Sequence, residues 1–310
     1  MGKRFFDQIE FLESNFMVLG YSDKRMHDMN RYIPPEKIMD YDFDLVYVTS
    51  TIYFEEIKNE LAEKYYIPKE KIASLMELMG ISEGTEARKK WVIEQLKQIP
   101  AGKTLLDAGA GEMQFKPYCS HLRYISQDFG KYNPSDEPGG IAGGKQVWDT
   151  SGCDIISDII DIPLENNSVD VILCSEVFEH LQNPVLAVKE FSRLLKPGGM
   201  LILTAPFCSL THMAPYYYYS GFSEYWYQTV LQDYGFNVDV IQKNGDLFMY
   251  YAWWLFRLDS LAKQYSDRGL TQSELVSVNS VITTLLDLSE RDEKSAESLC
   301  FGHNVIAYKR

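Results

Sequence analysis

The sequence predicts an α/β fold with a parallel, doubly wound sheet, because strand-like and helical segments alternate through the middle of the chain. Short apolar runs of strand type recur from Thr104 onward, and helical spacing extends from Pro184 to Leu195. This alternation is typical of parallel strands that are connected by helices. Ligands of such sheets bind beyond the carboxyl ends of the strands. The strand-like runs are TLLD, YISQD, DIISD, VDVILCSE and MLILTAP.

The length of the chain predicts two domains. The sequence has 310 residues, of which 45% are hydrophobic, whereas a compact domain commonly holds about 100–200 residues. Apolar β-type runs occur at 18–21 and 45–48, and helical spacing follows from Phe54 to Tyr65. We therefore expect a small α/β accessory domain over residues 1–78 and a larger domain over residues 79–310.

Further helical segments flank the predicted sheet. An amphipathic helix is expected from Ile81 to Ile99, before the sheet begins. After the sheet the chain is rich in Tyr, Trp and Phe, and a largely helical stretch is expected from Ala252 to Ser289, before a last strand at 304–308. We interpret residues 208–300 as a helical, aromatic-rich insertion that caps a ligand-binding half at about 104–207.

The charge of the chain disfavours nucleic acid as a partner. The formal net charge is -14, whereas proteins that bind nucleic acids carry basic surfaces that neutralise phosphates. The same sign disfavours docking on an anionic membrane, which relies on clustered Lys and Arg. A small-molecule partner is therefore expected.

Cysteine usage and hydropathy predict a cytoplasmic protein without a membrane span. The five cysteines are odd in number and lack a CxxC pair, so they favour neither a disulfide framework nor a zinc site. The N-terminus lacks an apolar signal core. The uncharged aromatic stretch from Leu247 to Phe256 is too short to cross a membrane and predicts a core helix or a helix at a homodimer interface.

A turn with two glycines follows the first strand of the predicted sheet. Gly109 and Gly111 come directly after the apolar run 105–108, and glycine lets the backbone approach a ligand closely because it has no Cβ. An NAD-binding fingerprint would have a third small residue at the position of Gln114. An NAD-dependent oxidoreductase is therefore a weaker interpretation of this turn.

Acidic and polar residues stand at the ends of the next strands. Asp128 ends the second strand, where a carboxylate can accept hydrogen bonds from both hydroxyls of an adenosine ribose. Asp158 follows the third strand, and Ser175 and Glu176 end the fourth. Because the carboxyl ends of parallel strands meet at one edge, we expect these side chains to lie near one another.

In this order and spacing, the motifs resemble the class I S-adenosylmethionine-dependent methyltransferases, specifically the group similar to the enzymes of ubiquinone and menaquinone biosynthesis. The matching segments are LLDAGAG, SQDFG, SDIIDIPLENNSVDVI, CSEVFEHLQNP and RLLKPGGMLILTAPF. The resemblance implies a Rossmann-like sheet and S-adenosylmethionine as the cofactor. The cofactor-binding residues that it implies are Asp107, Gly109, Ala110, Gly111, Asp128, Phe129, Asp158, Ile159, Ser175 and Glu176.

The resemblance also implies a direction for the cofactor. Its methionine side lies along the glycine turn, its ribose at Asp128, and its adenine between Asp158 and Ile159, with Ser175 near the amino-acid end. Two interpretations of Asp107 remain open, since its carboxylate can contact the cofactor or can bind backbone amides of the glycine turn.

The region after the sheet is similar to family members of sugar and surface-polysaccharide pathways. Pro206, His212, a Pro-x-x-Tyr element within 215–219 and Gly235-Phe236 carry this similarity. It implies that the methyl acceptor is a small, sugar-containing metabolite. The chain has Ser-Gly-Phe-Ser at 220–223, where the family often has Arg-Tyr-Thr.

Two histidines are candidates for acid–base catalysis. Methyl transfer from a sulfonium is a direct displacement that requires no metal, and alignment of the reactants contributes roughly 7–11 kcal/mol. A hydroxyl acceptor benefits from a base near neutral pH, which is most often a histidine. We expect His212 to be this base, the alternative being a surface histidine that orders the aromatic segment. His180 is the second candidate, the alternative being that it packs at the start of a helix.

Tyr217, Tyr218 and Tyr219 are the candidate acceptor-binding residues. Their rings can stack on a sugar or a planar ring, or they can pack as a lid or an interface. Two other functions remain open at this point. One is methylation of a quinone or another lipid-linked ring, and the other is a catalytically silent cofactor-binding module that regulates a partner.

Overall fold

The protein forms two compact units in a computed structural model. One unit consists of Glu83–Leu247 and Glu293–Arg310, and the other groups Met1–Ser82 with Phe248–Asp292. This grouping separates part of the expected cap from the sheet, and the domain boundary after residue 78 stays a prediction. The residues that the structure describes are 22, 32–48, 54–74, 81, 84–133 and 149–310.

The N-terminal part of the chain contains a two-stranded parallel sheet. Strands β1 (Val46–Val48) and β2 (Ile72–Ser74) pair with each other, and helix α1 (Phe54–Tyr65) connects them. Apolar side chains of α1 pack against buried residues of both strands. The bounds of α1 are those that its spacing predicts, whereas the β-type run at 18–21 lies outside the described residues.

The rest of the described chain alternates strands with helices. Short 3-10 helices occur at Pro35–Asp40, Lys69–Lys71, Lys116–Tyr118, Phe178–His180 and Ser295–Glu297. The remaining elements, in chain order, are α2 (Thr85–Gln98), β3 (Thr104–Ala108), β4 (Arg123–Asp128), β5 (Ile155–Ile156), β6 (Val169–Ser175), α3 (Pro184–Leu194), β7 (Leu195–Pro206), α4 (Glu224–Asp233), β8 (Phe236–Asn244), α5 (Leu247–Tyr265), α6 (Gln272–Glu290) and β9 (Gly302–Lys309).

Strands β3 to β9 form one seven-stranded sheet in the order β5-β4-β3-β6-β7-β9-β8. The pairs from β5 to β7 are parallel, and β9 is antiparallel to both of its neighbours. The chain first winds from β3 towards β5 and then returns to the other side of β3 with β6. This arrangement confirms the doubly wound, Rossmann-like sheet, and it puts the change of direction between β3 and β6, where ligands of such sheets bind.

Alternating side chains of the strands fill a core on each face of the sheet. Leu105 of β3 packs with Val92 and Leu96 of α2, while the next residue, Leu106, packs with Phe191 of α3 on the opposite face. Successive residues of a strand point to opposite faces, so strands that are apolar at every position are covered on both sides. The continuous apolar runs of the sequence therefore reflect burial on both faces.

The largely helical stretch that is expected from Ala252 to Ser289 consists of two helices, α5 and α6, and α6 begins at a capping box in which Thr271 accepts from the N–H of Glu274. Strand β8 was not expected, because most of its residues are partly or fully exposed and its apolar alternation is weak. None of the helices in the described part of the chain is long and apolar enough to cross a membrane.

Candidate functional site

The glycine turn after β3 is held against the end of β4. Gly109 and Gly111 have φ values of 76° and 52°, which non-glycine residues rarely adopt. The N–H groups of Gly109 and Ala110 donate to the carbonyl of Gln127, at 2.9 and 2.8 Å. A Cβ on Gly109 would lie 2.4 Å from Cγ2 of Val177. The residue after β3 therefore has to be glycine for steric as well as conformational reasons.

Asp128 ties this turn to the loop that follows β4. The residue is 5% exposed. Its Oδ2 accepts from the N–H of Gly111 at 3.0 Å, and its Oδ1 accepts from the N–H of Gly130 at 2.9 Å. A carboxylate has about four acceptor positions on its two oxygens. Asp128 can thus hold both loops and still accept hydrogen bonds from a ligand.

Asp107 is buried at the end of β3 and accepts a hydrogen bond from the hydroxyl of Tyr124. Burial raises the pKa of Asp107 to about 7, the charge of Asp128 adds to this, and the Tyr124 hydrogen bond opposes it. The amides of the glycine turn bind Gln127 and Asp128 instead. Asp107 therefore does not bind these amides. Contact with the cofactor is the interpretation of Asp107 that stays open.

The residues at the end of β6 form a polar chain with β7 and α2. Oγ of Ser175 lies 2.9 Å from Oγ1 of Thr204, which in turn donates to Glu176 at 3.1 Å. Arg88 of α2 donates to the other oxygen of Glu176 at 3.0 Å. Glu176 itself has a φ of 57°. Ser175 and Glu176 thus lie beside the glycine turn on the neighbouring strand, with their side chains already hydrogen-bonded.

Three further residues implied by the resemblance occupy different environments. Asp158 is exposed and accepts from the N–H of Ile160 at 3.2 Å. Ile159 is 5% exposed and its side chain belongs to the core. The ring of Phe129 meets that of Tyr216 edge-on, with centroids 5.0 Å apart, and this contact joins the loop after β4 to the aromatic segment.

The two candidate histidines lie together beside Glu179. The rings of His180 and His212 meet edge-on with centroids 4.8 Å apart. Nε2 of His180 is 3.7 Å and Nε2 of His212 is 3.9 Å from the same oxygen of Glu179. We call these three side chains the Glu-His-His cluster. His180 and Glu179 belong to the 3-10 helix after β6, whereas His212 comes from the loop after β7.

Burial dominates the electrostatics of this cluster. The Glu179 side chain is 1% exposed, and burial together with the nearby charge of Glu176 raises its pKa well above the ordinary value. The pKa of His180 is lowered to about 4, first by burial and then by His212, although its hydrogen bond to the Tyr216 carbonyl opposes this. His180 is therefore neutral near pH 7.

The aromatic loop closes over Glu179 through its backbone. The N–H groups of Tyr218 and Tyr219 both donate to the carbonyl of Glu179, at 2.9 and 3.2 Å. Tyr217 is half-buried and its hydroxyl donates to the carbonyl of Ser209 at 2.7 Å, whereas the side chains of Tyr218 and Tyr219 are 41% and 38% exposed. Of the three candidate tyrosines, Tyr217 has its ring nearest to His212, with centroids 5.2 Å apart.

Sequence reasoning did not single out Glu179, Gln127 or Arg88 as site residues. Gln127 and Arg88 act through backbone and pairwise contacts that leave no pattern in the sequence. Glu179 stands directly before a candidate histidine in CSEVFEHLQNP. A carboxylate directly before a candidate histidine was the signal that could have identified it.

Comparison with known proteins finds relatives of the segment that contains the glycine turn. Residues 106–203 match the family model described as a methyltransferase domain. An uncharacterized methyltransferase of Mycobacterium bovis BCG is 31% identical over 106 residues, which are 34% of this chain and 40% of the relative. One from Mycobacterium avium is 31% identical over 107 residues, with the same coverage of 34% and 40%. The alignment thus spans less than half of these relatives.

Among solved structures, the YcgJ protein of Bacillus subtilis aligns with 73% of this chain and 99% of its own, at 16% identity and a TM-score of 0.41. The fold is identified from the order and direction of the strands in the sheet and not from this likeness. Residues 106–203 are thus similar to a methyltransferase domain, and the seven-stranded sheet that contains them has the doubly wound topology expected from the sequence.

Proposed function

We propose that the protein is a cytoplasmic methyltransferase that transfers the methyl group of S-adenosylmethionine to a hydroxyl of a small, sugar-containing metabolite. The observation that carries the cofactor half is the glycine turn, fastened to Asp128 and Gln127 where the sheet changes direction. A homodimer stays a prediction.

The turn and Asp128 supply two complementary contacts for the cofactor. The absence of a Cβ at Gly109 and Gly111 permits close approach of the backbone, and the remaining acceptor positions of Asp128 suit the two ribose hydroxyls. Ser175 and Glu176 border the same edge from β6. This set supports an adenosyl ligand that runs along the ends of β3, β4 and β6.

The chemistry that this arrangement requires is displacement at a carbon atom. The acceptor oxygen forms a bond to the methyl carbon, the bond from that carbon to sulfur breaks, and S-adenosylhomocysteine leaves with the electron pair. The hydroxyl proton passes to a base or to solvent. The contribution of the protein is chiefly alignment of oxygen, carbon and sulfur in one line.

The Glu-His-His cluster supports an acceptor site for a hydroxylated molecule. The Nδ1 atom of His212 lies 2.9 Å from the Leu210 carbonyl, so Nδ1 carries the proton and Nε2 is free to accept one. In the metal-free protein, His212 is thus our proposed general base, and His180 positions the loop through its bond to Tyr216. Tyr217, Tyr218 and Tyr219 are the proposed acceptor contacts.

The test is incubation of the protein with methyl-labelled S-adenosylmethionine and fractionated cell extract. Label in low-mass sugar compounds, lost in Asp128→Ala and retained in a control variant of the exposed Asp239 (Asp239→Ala), is the expected result. Label in lipids would replace the proposed acceptor by a quinone or lipid-linked ring. Binding of S-adenosylhomocysteine without any transfer would favour the silent regulatory module, and tighter binding of NADH would favour an oxidoreductase.

A further inference from the structure

The Glu-His-His cluster has the composition and spacing of a metal-binding set. Glu179, His180 and His212 each contribute one potential ligand atom, and these three atoms lie within 4.8 Å of one another. Neutral imidazole and carboxylate are common ligands of divalent transition metals. This set could not be expected from the sequence, because no ligand-spacing motif connects the 3-10 helix after β6 with the loop after β7.

Backbone contacts fix both imidazoles in one tautomer, with the proton on Nδ1 and the lone pair on Nε2, which is the tautomer that a metal ligand needs. Nδ1 of His180 is 2.6 Å from the carbonyl of Tyr216, and Nδ1 of His212 is 2.9 Å from the carbonyl of Leu210. A carbonyl can only accept, so each Nδ1 carries the proton and each Nε2 has a lone pair. Hydrogen bonding of the second ring nitrogen to a carbonyl is also the usual support of a metal-bound histidine.

The three atoms that face one another are all acceptors. Both Nε2 lone pairs are near Oε1 of Glu179, and the other oxygen, Oε2, is buried without a hydrogen-bond partner among the described residues. The nearby Arg88 binds Glu176 instead. Three converging acceptors with no positive charge between them are unfavourable in a buried place, and a cation would reverse the sign of all three interactions.

A shared proton does not account for this geometry. A hydrogen bond from a protonated Glu179 to either imidazole would need about 2.7–3.0 Å between the heavy atoms, whereas the distances are 3.7 and 3.9 Å. Three ligand atoms about 2.1 Å from one tetrahedral ion lie about 3.4 Å apart. The two separations from Glu179 are 3.7 and 3.9 Å, and all three atoms lie within 4.8 Å of one another, so rotation of the side chains towards one ion would complete the set.

We infer that Glu179, His180 and His212 bind one divalent transition-metal ion of the zinc or cobalt type. Three protein ligands leave at least one coordination position open. His212 is the most exposed of the three, with 28% of its side chain accessible, compared with 11% for His180 and 1% for Glu179. The open position is therefore expected on the His212 side, next to the ring of Tyr217.

A bound ion would change what the cluster offers to an acceptor. Both Nε2 atoms become ligands, so His212 no longer takes a proton, and a hydroxyl oxygen of the acceptor can instead occupy the open position. Only this consequence rests on the proposed methyl transfer. Metal binding itself can be measured without cofactor and without acceptor.

The test is a titration of the full-length, chelator-treated protein with Co²⁺, followed by visible absorption, and with Zn²⁺, followed by calorimetry. We expect one ion per chain, absorption bands of cobalt bound to nitrogen and oxygen, and their loss when Zn²⁺ displaces Co²⁺. Glu179→Gln and His212→Ala are each expected to weaken binding at least tenfold. His121→Ala is the matched control, since His121 contacts the Ile99 carbonyl away from the cluster, and it should bind like the unaltered protein.

The inference is overturned if the unaltered protein does not bind one ion, or if Glu179→Gln and His212→Ala bind as tightly as His121→Ala. Should these variants fail to fold, diethyl pyrocarbonate modification of the unaltered protein gives the answer. Zn²⁺ is expected to protect His212 but not His121, as read by mass spectrometry, and equal modification with and without Zn²⁺ would overturn the inference. Binding of S-adenosylhomocysteine, measured in parallel, tests the proposed function separately.

Discussion

The glycine turn and the Glu-His-His cluster lie at the ends of neighbouring parts of one sheet, yet they are built in opposite ways. At the turn, the N–H groups of Gly109, Ala110 and Gly111 all have acceptors, and Asp128 has a backbone donor on each oxygen. At the cluster, three acceptors face one another and Oε2 of Glu179 has no partner among the described residues. The polar groups of the first region have partners without a ligand, whereas the second region lacks a partner that the inferred metal ion would supply.

The largest expected effect is that of Asp128→Ala on cofactor affinity. The substitution removes the proposed ribose contacts and releases the loops at Gly111 and Gly130. Two hydrogen bonds to a charged group contribute about 1.5–3 kcal/mol each, so the affinity for S-adenosylhomocysteine should fall roughly 10³-fold by calorimetry. Asp239→Ala should leave it unchanged, and an equal loss in both variants would remove Asp128 from the site.

Gly109→Ala, compared with Gly102→Ala, tests whether the neighbours of the glycine turn leave no space for a side chain. Both glycines have positive φ, 76° and 80°, but only Gly109 has neighbours in the way of a Cβ. The free energy of unfolding in urea should fall by about 3 kcal/mol for Gly109→Ala and by about 1–2 kcal/mol for Gly102→Ala. Adding Val177→Ala should recover part of the loss at Gly109 alone, and equal losses at both glycines would contradict the steric argument.

Asp107 provides a pH test at the border of the turn. Because its pKa is about 7 in the folded protein and about 3.9 in an unfolded chain, the folded state binds the extra proton between these values. The free energy of unfolding should therefore fall as the pH rises from about 4 to about 7, by an amount on the order of 3 kcal/mol. Asp107→Asn should flatten this dependence, and unchanged pH profiles from urea unfolding would show that Asp107 does not cause it.

The smallest expected effect concerns the loop that covers the cluster. Tyr217→Phe removes the hydroxyl that donates to the Ser209 carbonyl, which should lower the free energy of unfolding by about 1 kcal/mol. Tyr218→Phe, at an exposed position, is the comparison and should have a smaller effect. If Tyr218→Phe lowered the melting temperature more than Tyr217→Phe, contacts on the exposed side of the loop would be the ones that stabilise it.

Much of the sheet could be predicted because its signals are local. Each strand of the parallel part is an apolar run of its own, and the bounds of β3, β4 and β6 follow those runs closely. Strand β8 could not be predicted from its weak alternation, since it depends on pairing with β9, which is distant in sequence. The burial of Ile159 in the core likewise depends on residues distant in sequence, and its place beside the adenine stays a prediction.

The sequence by itself determined the glycine turn and the acid that ends β4, because a strand, two glycines and a carboxylate in fixed order leave the backbone little choice of conformation. Only the tertiary structure decided that Glu179, His180 and His212 meet. Their meeting requires that α3 and β7 return the chain to the same edge and that the amides of Tyr218 and Tyr219 fasten the loop to the carbonyl of Glu179. Contacts of this kind join residues that are far apart in the sequence, so no local pattern records them.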